Sequence, residues 1–431
     1  GRSLTNMPAI SGCMAKTCLK SGSGAGPTRR LPQPGIKAVP DLILVLNAGS
    51  SSLKFGVFAC SETAVTEVAR GKYSDLHGTP HFSTSTGTRK ASGLSLETGS
   101  SLRHVLEHLT GWLASEGHMS SIVSAGHRIV HGGTKYHAPV RLTNDVLDEL
   151  DALTPLAPLH QPASLEPVRV LRDVLTGLLQ IGCFDTAFHH HLGIEARSYA
   201  LPIRYQTQGI RKFGFHGLSY QHVASELAAV SPQLKGKRTV VAHLGNGCSL
   251  CAMRDGTSVD TTMGYTPLDG LMMGTRSGGL DPGLLLHLIR ELKMSPDAVE
   301  HLLYNQSGLL GVSGISADMH TLLDSSDPHA LVAINLFVYR AVAEAARMTA
   351  ALEGLEVLVF TGGIGENSWQ IRERICARLA WLGVLLDHRE NRAGAAIISK
   401  PESKVDVHVV AANEEIVIAQ SVAGVLEIQG A

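Results

Sequence analysis

Residues 42–58 read Leu-Ile-Leu-Val-Leu-Asn-Ala-Gly-Ser-Ser-Ser-Leu-Lys-Phe-Gly-Val-Phe. An apolar, β-prone run (42–46) enters a hydroxyl-rich turn, and a second apolar run (53–58), interrupted by Lys54, leaves it. This is the pattern of two strands joined by a short polar loop. The loop brings backbone N–H groups, the hydroxyls of Ser50, Ser51 and Ser52, the Asn47 amide and the Lys54 ammonium to one point. Such donors suit a polyphosphate, whose oxygens carry the charge that phosphoryl transfer must spread. Taken alone, the segment leaves an ordinary polar hairpin open.

Working outward, residues 239–256 repeat the design: Thr-Val-Val-Ala-His-Leu, then Gly-Asn-Gly, then Cys-Ser-Leu-Cys-Ala-Met-Arg-Asp-Gly. Two such hairpins half a chain apart predict a duplicated α/β fold with a cleft between its halves, each half bringing one phosphate-facing turn. A third Gly-rich turn, Thr361-Gly-Gly-Ile-Gly-Glu-Asn367, follows a strand-like run at 355–360 and precedes a helical stretch at 370–382. No G-x-x-x-x-G-K-[ST] and no G-x-G-x-x-G occurs, so neither the P-loop nor the dinucleotide fingerprint applies.

Six more segments matter: Gly126-His-Arg-Ile-Val-His-Gly-Gly133, Pro155-Leu-Ala-Pro-Leu-His160, Phe184-Asp-Thr-Ala-Phe-His189, Gly214-Phe-His-Gly217, Gly274-Thr-Arg-Ser-Gly278 and Asn413-Glu-Glu415. With the three turns, in this order from about residue 42 to about 420, they resemble the acetate and propionate kinase family. The resemblance implies the ribonuclease-H-like fold of the actin, hexokinase and sugar-kinase superfamily, and phosphoryl exchange between ATP and a short carboxylic acid. It also implies a first lobe of residues 41–189 plus 416–431, a second lobe of 190–415, and a homodimer formed through the second.

Transfer between two anionic oxygens is opposed by repulsion, so such a site needs cations and donors around the moving group. Arg128 and Arg276 lie in Gly-flanked segments, and guanidinium can fork onto carboxylate or phosphate. By resemblance both orient the acyl substrate, Arg276 and His216 stabilise the transition state, and His160 supports them. Asp185 ends the apolar run 179–184; it can organise metal-bound water or orient the acid and need not be a base, since acetate is already ionised. The family match gives Val130, Leu159, Phe215 and Pro267 as the apolar acyl wall, and a branched Val130 favours the smaller acid. It gives Asn47 and Glu414 to Mg2+ (Mn2+ is possible), an ion that keeps several waters. ATP/ADP would meet Ser50, Ser52 and Lys54, with His243, Leu244, Gly245, Asn246 and Gly247 on its β- and γ-phosphates. Gly363, Ile364, Gly365, Glu366 and Asn367 would take the α-phosphate and ribose. Asp318, Met319 and His320 fall at the adenine segment, where His320 replaces the family's usual Arg. Gln161, Leu218, Tyr220 and Gly279 are further departures.

The bulk properties agree. A 431-residue chain can bury a sizeable core, and a net charge of −1 leaves no global field for nucleic acid. No apolar run reads as a bilayer span, and seven cysteines without a secretory signal point to reduced thiols in the cytoplasm. Cys248 and Cys251 have C-x-x-C spacing but lack the second pair a zinc site needs. His189-His190-His191 is expected to be a loop of solvated imidazoles. Residues 1–40 carry Arg2, Lys16, Lys20, Arg29, Arg30 and Lys37 and no acid, which reads as a mobile basic extension; a transit peptide is the other reading. The clearest helix of the second lobe is expected to place Leu331, Ile334, Val338, Ala341, Ala345, Met348 and Leu352 on one apolar stripe, which faces either the core or a partner subunit. A propionate kinase and a non-catalytic actin-like nucleotide-binding protein are the competing functions. The second of these would require Arg128, Arg276 or His216 to be missing, and all three are present.

Overall fold

The computed structural model describes residues 40–430 apart from Ser50, Glu62, Thr63 and Thr88. The basic extension and Ser50 therefore lie outside the described residues, Pro40 excepted. The described residues form one compact unit.

The apolar run at 42–46 becomes the centre of a sheet because both of its faces are covered. Strand β1 (Leu42–Ala48) is buried along its whole length. It turns through Gly49, whose N–H donates to Ser52 O at 2.8 Å, into the antiparallel β2 (Ser52–Cys60). Beyond β2 lie β3 (Val65–Ser74), β4 (His81–Thr86) and β5 (Arg89–Ser95). On the other side β1 pairs in parallel with β6 (Ile122–Ile129), which pairs in parallel with β8 (Leu179–Phe184); the short β7 (Val140–Arg141) closes that edge.

The second sheet repeats this plan. Strand β9 (Thr239–Leu244) is antiparallel to β10 (Cys248–Arg254), which is antiparallel to β11 (Thr257–Thr261). On its other side β9 is parallel to β12 (Val357–Thr361), itself parallel to β13 (Asp406–Val409). The orders β3-β2-β1-β6-β8 and β11-β10-β9-β12-β13 match strand for strand, including which pairs run antiparallel. The duplication expected from two hairpins is a duplication of whole topology.

The C-terminal helix Glu414–Gly430 packs on the first sheet. Val417, Ile418, Ala419 and Val422 join Ile43, Val45, Phe58 and Ile181 in one buried cluster. Each of the Val, Ile and Phe side chains contributes about 1.5–3 kcal/mol by leaving water. Gly126 on β6 makes room for it, since a Cβ there would stand 2.5 Å from Ile418 Cγ2. The Gly217–Val230 helix touches both sheets, with Leu218 in that cluster and Tyr220 and Val223 in the cluster under β9 and β12.

Several expectations need correction. Gly362–Asn367 is a short helix following β12, not an open turn, and the helix after it is Trp369–Arg378. The stripe on Pro328–Ala351 faces the core from Ile334 onward, but Leu331 is 49% exposed. Ala330, Ala333 and Phe337 are buried beside it, so the buried face is rotated relative to the apolar pattern. By length and composition this helix could span a bilayer, yet that face packs into the core of the second sheet. His189 is not solvated: it is buried, with Nδ1 2.8 Å from Ser258 Oγ and Nε2 3.0 Å from Phe215 O. Cys248 and Cys251 are buried on β10, and burial pushes both thiols up to about 12.

Candidate active site

The site is built at the ends of the central strands. Arg128 is the penultimate residue of β6, and Asp185 follows the last residue of the neighbouring β8. Parallel pairing therefore sets them side by side. Arg128 Nε lies 3.1 and 3.0 Å from the two Asp185 oxygens, and Nη2 lies 2.5 Å from Oδ2. Glu414, the first residue of the C-terminal helix, brings Oε2 to 3.7 Å from the same Nε. Asn47, near the end of β1, donates from Nδ2 to Glu414 at 2.9 Å and to Glu415 at 2.7 Å. Asp185 is fully buried; burial, opposed by Arg128 and reinforced by Glu414, pushes its carboxyl up to about 6. Arg128 and other nearby cations outweigh burial at Glu414 and hold it below the ordinary range.

Two enclosed carboxylates sharing one guanidinium, beside the Asn47 amide, form an oxygen donor set. That set fits a hard divalent cation that takes few protein ligands and keeps its water. Among the described residues no cluster of three or more acidic, His or Cys side chains offers a full cage.

Arg276 differs from Arg128. It is partly buried, its Nη1 donates to Pro267 O at 2.7 Å, and among the described residues no carboxylate pairs with it. A desolvated guanidinium without a countercharge is a place for an anion. Its Nη2 and His216 Nε2 converge over Gly247, where a Cβ would stand 2.9 and 3.2 Å from them. Gly247 ends the β9–β10 turn, so the backbone can approach both groups only without a side chain.

His216 holds φ +59, a left-handed conformation, immediately before the Gly217–Val230 helix. Gly217 is required as well: its N–H donates to Asp185 O at 2.9 Å, and a Cβ would stand 2.2 Å from that oxygen. The two halves of the site are thereby tied at the backbone. The His216 ring stacks on His243 with centroids 4.3 Å apart. Burial, then the charge of neighbouring His243, Arg128 and Arg276, holds His216 well below its usual range, and burial lowers His243 to about 4. Ser249 and Ser219 fix these rings, each hydroxyl 2.8 Å from a ring Nδ1. Neither serine stood out in the sequence, because each acts on a histidine more than twenty residues away. His160 is lowered to about 3 by burial with help from Arg276 and Arg128, and its buried Nδ1 has no hydrogen-bond partner among the described residues.

The remaining expected positions divide. Val130 and Phe215 are buried in one core cluster, and Pro267 is buried beside Arg276, whereas Leu159 is 40% exposed. Gly245, Asn246, Asp318, Met319, His320, Gly363, Ile364 and Asn367 line a cavity of about 460 Å³. Ala317, Leu323, Asp324, Ser368 and Gln370 complete it and were not foreseen. Asp318 caps the Met319–Asp324 helix, accepting from Thr321 N at 2.8 Å, and His320 sits exposed with Nδ1 3.1 Å from Asp324. Leu244 and Gly365 are buried. Glu366 Oε1 accepts from Gly362 N and Ala412 N, both at 2.9 Å, and so clamps the short helix to the segment leading to Glu414. Ser52 opens β2, and Lys54 is exposed on it, close enough to favour ionised Glu414.

A sequence model of the Acetokinase family matches residues 42–420. The chain belongs to the acetokinase family. It is a phosphotransferase with a carboxyl group as acceptor, and its fold is the duplicated α/β fold of the actin and hexokinase superfamily. An acetate kinase of Rhodopseudomonas palustris (strain TIE-1) is 47% identical over 389 residues, covering 89% of this chain and 98% of that one. Among solved structures, a propionate kinase from Francisella tularensis is 37% identical with TM-score 0.82, covering 88% of this chain and 98% of the other. Porphyromonas gingivalis acetate kinase is 34% identical with TM-score 0.78, covering 90% and 100%.

Proposed function

We propose that this acetokinase transfers a phosphoryl group reversibly between ATP and acetate, giving acetyl phosphate and ADP, with Mg2+ as the divalent ion. The observation that carries this reading is the convergence of Arg276 Nη2 and His216 Nε2 over Gly247, a short reach from the Arg128–Asp185–Glu414 cluster. Arg276 lacks a countercharge and is set to receive the equatorial oxygens of the moving group. Neutral His216 donates beside it without adding a proton that the acceptor could take. Arg128 orients the acyl carboxylate, and Asp185 in turn orients Arg128. His160 supports the pair of arginines as an uncharged neighbour. Acetate needs no general base because it is ionised at neutral pH. Glu414, Asp185 and Asn47 would hold the metal, which supplies charge neutralisation for the phosphate oxygens. Mn2+ meets the same donor set.

The nucleotide would occupy the cavity of about 460 Å³, with Gly363–Asn367 on the α-phosphate side and Asp318–His320 toward the base. Val130, Phe215, Pro267 and the exposed Leu159 would wall the acyl group. Propionate is the second reading, favoured by the similarity to the propionate kinase from Francisella tularensis. One methylene is worth only about 1–3 kcal/mol, so both acids are expected to react.

The lobes of 41–189 plus 416–431 and of 190–415 follow the two sheets. A cytoplasmic homodimer through the second lobe accounts for the apolar surface of the Pro282–Arg290 helix, none of whose residues is buried, and for exposed Leu331, Val332, Leu336 and Tyr339 nearby in sequence to the core helix face. Trapping acyl phosphate as hydroxamate over a series of acids, with MgATP, tests the proposal. Formation with acetate is expected; no product from acetate or propionate would overturn it.

A further inference from the structure

Tyr220 is wholly buried in the Gly217–Val230 helix. Its Oη lies 2.5 Å from Ser249 Oγ, and Ser249 Oγ lies 2.8 Å from His216 Nδ1. These three groups form a chain in which every proton has one sensible place. A buried phenol must donate its proton or pay the cost of an unmade hydrogen bond. Ser249 Oγ is the only partner of Tyr220 Oη among the described residues, so the phenol donates to the serine. The serine has one proton of its own, and His216 Nδ1 is its remaining neighbour. It donates there, which makes Nδ1 an acceptor. The ring is neutral, so its single proton stands on Nε2, the atom that converges with Arg276 Nη2 over Gly247. The reverse order would put the proton on Nδ1, strand the phenol hydrogen and leave a lone pair, not a donor, facing the phosphoryl oxygens. Burial also raises Tyr220 well above its usual range, so the relay keeps its first proton throughout the neutral range.

We infer that Tyr220 and Ser249 are a positioning pair that fixes His216 as its Nε2–H tautomer, making it a permanent uncharged donor to the transferred phosphoryl group. The inference rests on the catalytic reading of His216 given above, but its first readout does not depend on activity. Long-range proton–nitrogen correlation spectra of the full-length protein, with His216 identified by comparison with His216→Gln, should show a protonated Nε2 and a bare Nδ1. Tyr220→Phe keeps the ring and removes the proton. It should mix the two tautomers and lower kcat by about threefold to tenfold, the net value of one hydrogen bond, with both KM values within about twofold. Ser249→Ala should do the same or more, and Ser249→Thr, which restores the hydroxyl, should recover the single tautomer. Melting temperatures separate these effects from damage to the fold. A proton on Nδ1 in the unaltered protein would overturn the inference, as would a Tyr220→Phe variant with unchanged tautomer and kcat. Full activity in His216→Gln would instead overturn the catalytic reading and leave the tautomer assignment standing.

Discussion

Arg128 and Arg276 look alike in sequence, each in a Gly-flanked segment, but only Arg128 has acids around it. That difference sets the expected outcomes of removing them. Arg276→Ala should lower kcat by on the order of 10²–10³ with the fold intact, because the lost charge acts on the transition state; steady-state kinetics beside a thermal melt checks this. A raised KM at normal kcat would move Arg276 to ground-state binding. Val130 makes the second prediction. It is 3% exposed and packed in the cluster that holds Phe215, so Val130→Ala should cost on the order of 2 kcal/mol of stability whatever else it does. If it also walls the acyl group, the propionate-to-acetate ratio of kcat/KM rises, within the roughly 10–200-fold worth of a methylene, and mostly through KM. A lowered melting temperature at a constant ratio would make Val130 plain core. Chemistry-bearing residues of this kind were legible because Gly and Pro mark the backbone around them. The roles of Ser219, Ser249 and the clamp formed by Glu366 were not, since their partners lie far away in sequence.

At the scale of elements, the C-terminal helix completes the site and the first sheet together. Its opening residues Glu414 and Glu415 reach Asn47, and its next turns fill the face of β1 and β6. Gly126→Ala places a methyl 2.5 Å from Ile418 Cγ2. Overpacking of that kind should cost about 1–3 kcal/mol and loosen the helix, seen as a lower melting temperature and earlier hydrogen exchange in 414–427 than elsewhere. An unchanged melt would mean that the helix shifts without penalty. The hairpins could be read from sequence because alternation and turn chemistry are local. The helical form of Gly362–Asn367 was hidden by its glycines, which are poor helix formers; here Glu366 holds its start and Arg372 Nη1 takes the carbonyls of Gly365 and Glu366 at 2.9 and 2.7 Å. The rotated face of Pro328–Ala351 was missed for a different reason. Small Ala330 and Ala333 fit where the packing is tight, and hydrophobicity alone ranks Leu331 above them.

Across the whole molecule, the buried histidines dominate the response to acid. Burial lowers His127, His131, His189 and His243 to about 4 and His160 to about 3, and His216 is also well below its usual value. Unfolded histidine binds its proton near pH 6.5, so between about 6.5 and 4 the unfolded chain takes up protons the native one refuses. The stability these groups give is complete above pH 6.5 and is lost as pH falls toward 4. Asp185, raised to about 6, works in the opposite sense and keeps its proton in the native state over part of that window. The net uptake on unfolding at pH 5 should be about five protons, measurable from the slope of stability against pH. A slope near zero there would mean that these rings are charged in the folded protein. One consequence of the C-terminal helix remains, and it concerns time. On the ribosome, β1 and β2 emerge long before residues 414–430, yet side chains of that later segment cover one face of β1. Until residues 414–430 have emerged, Ile43, Val45 and Phe58 stay uncovered by that helix and the Asn47–Glu414 contact cannot form. A nascent chain that lacks this helix is therefore expected to be inactive, with an apolar face suited to a chaperone, and both conditions end together when the helix docks.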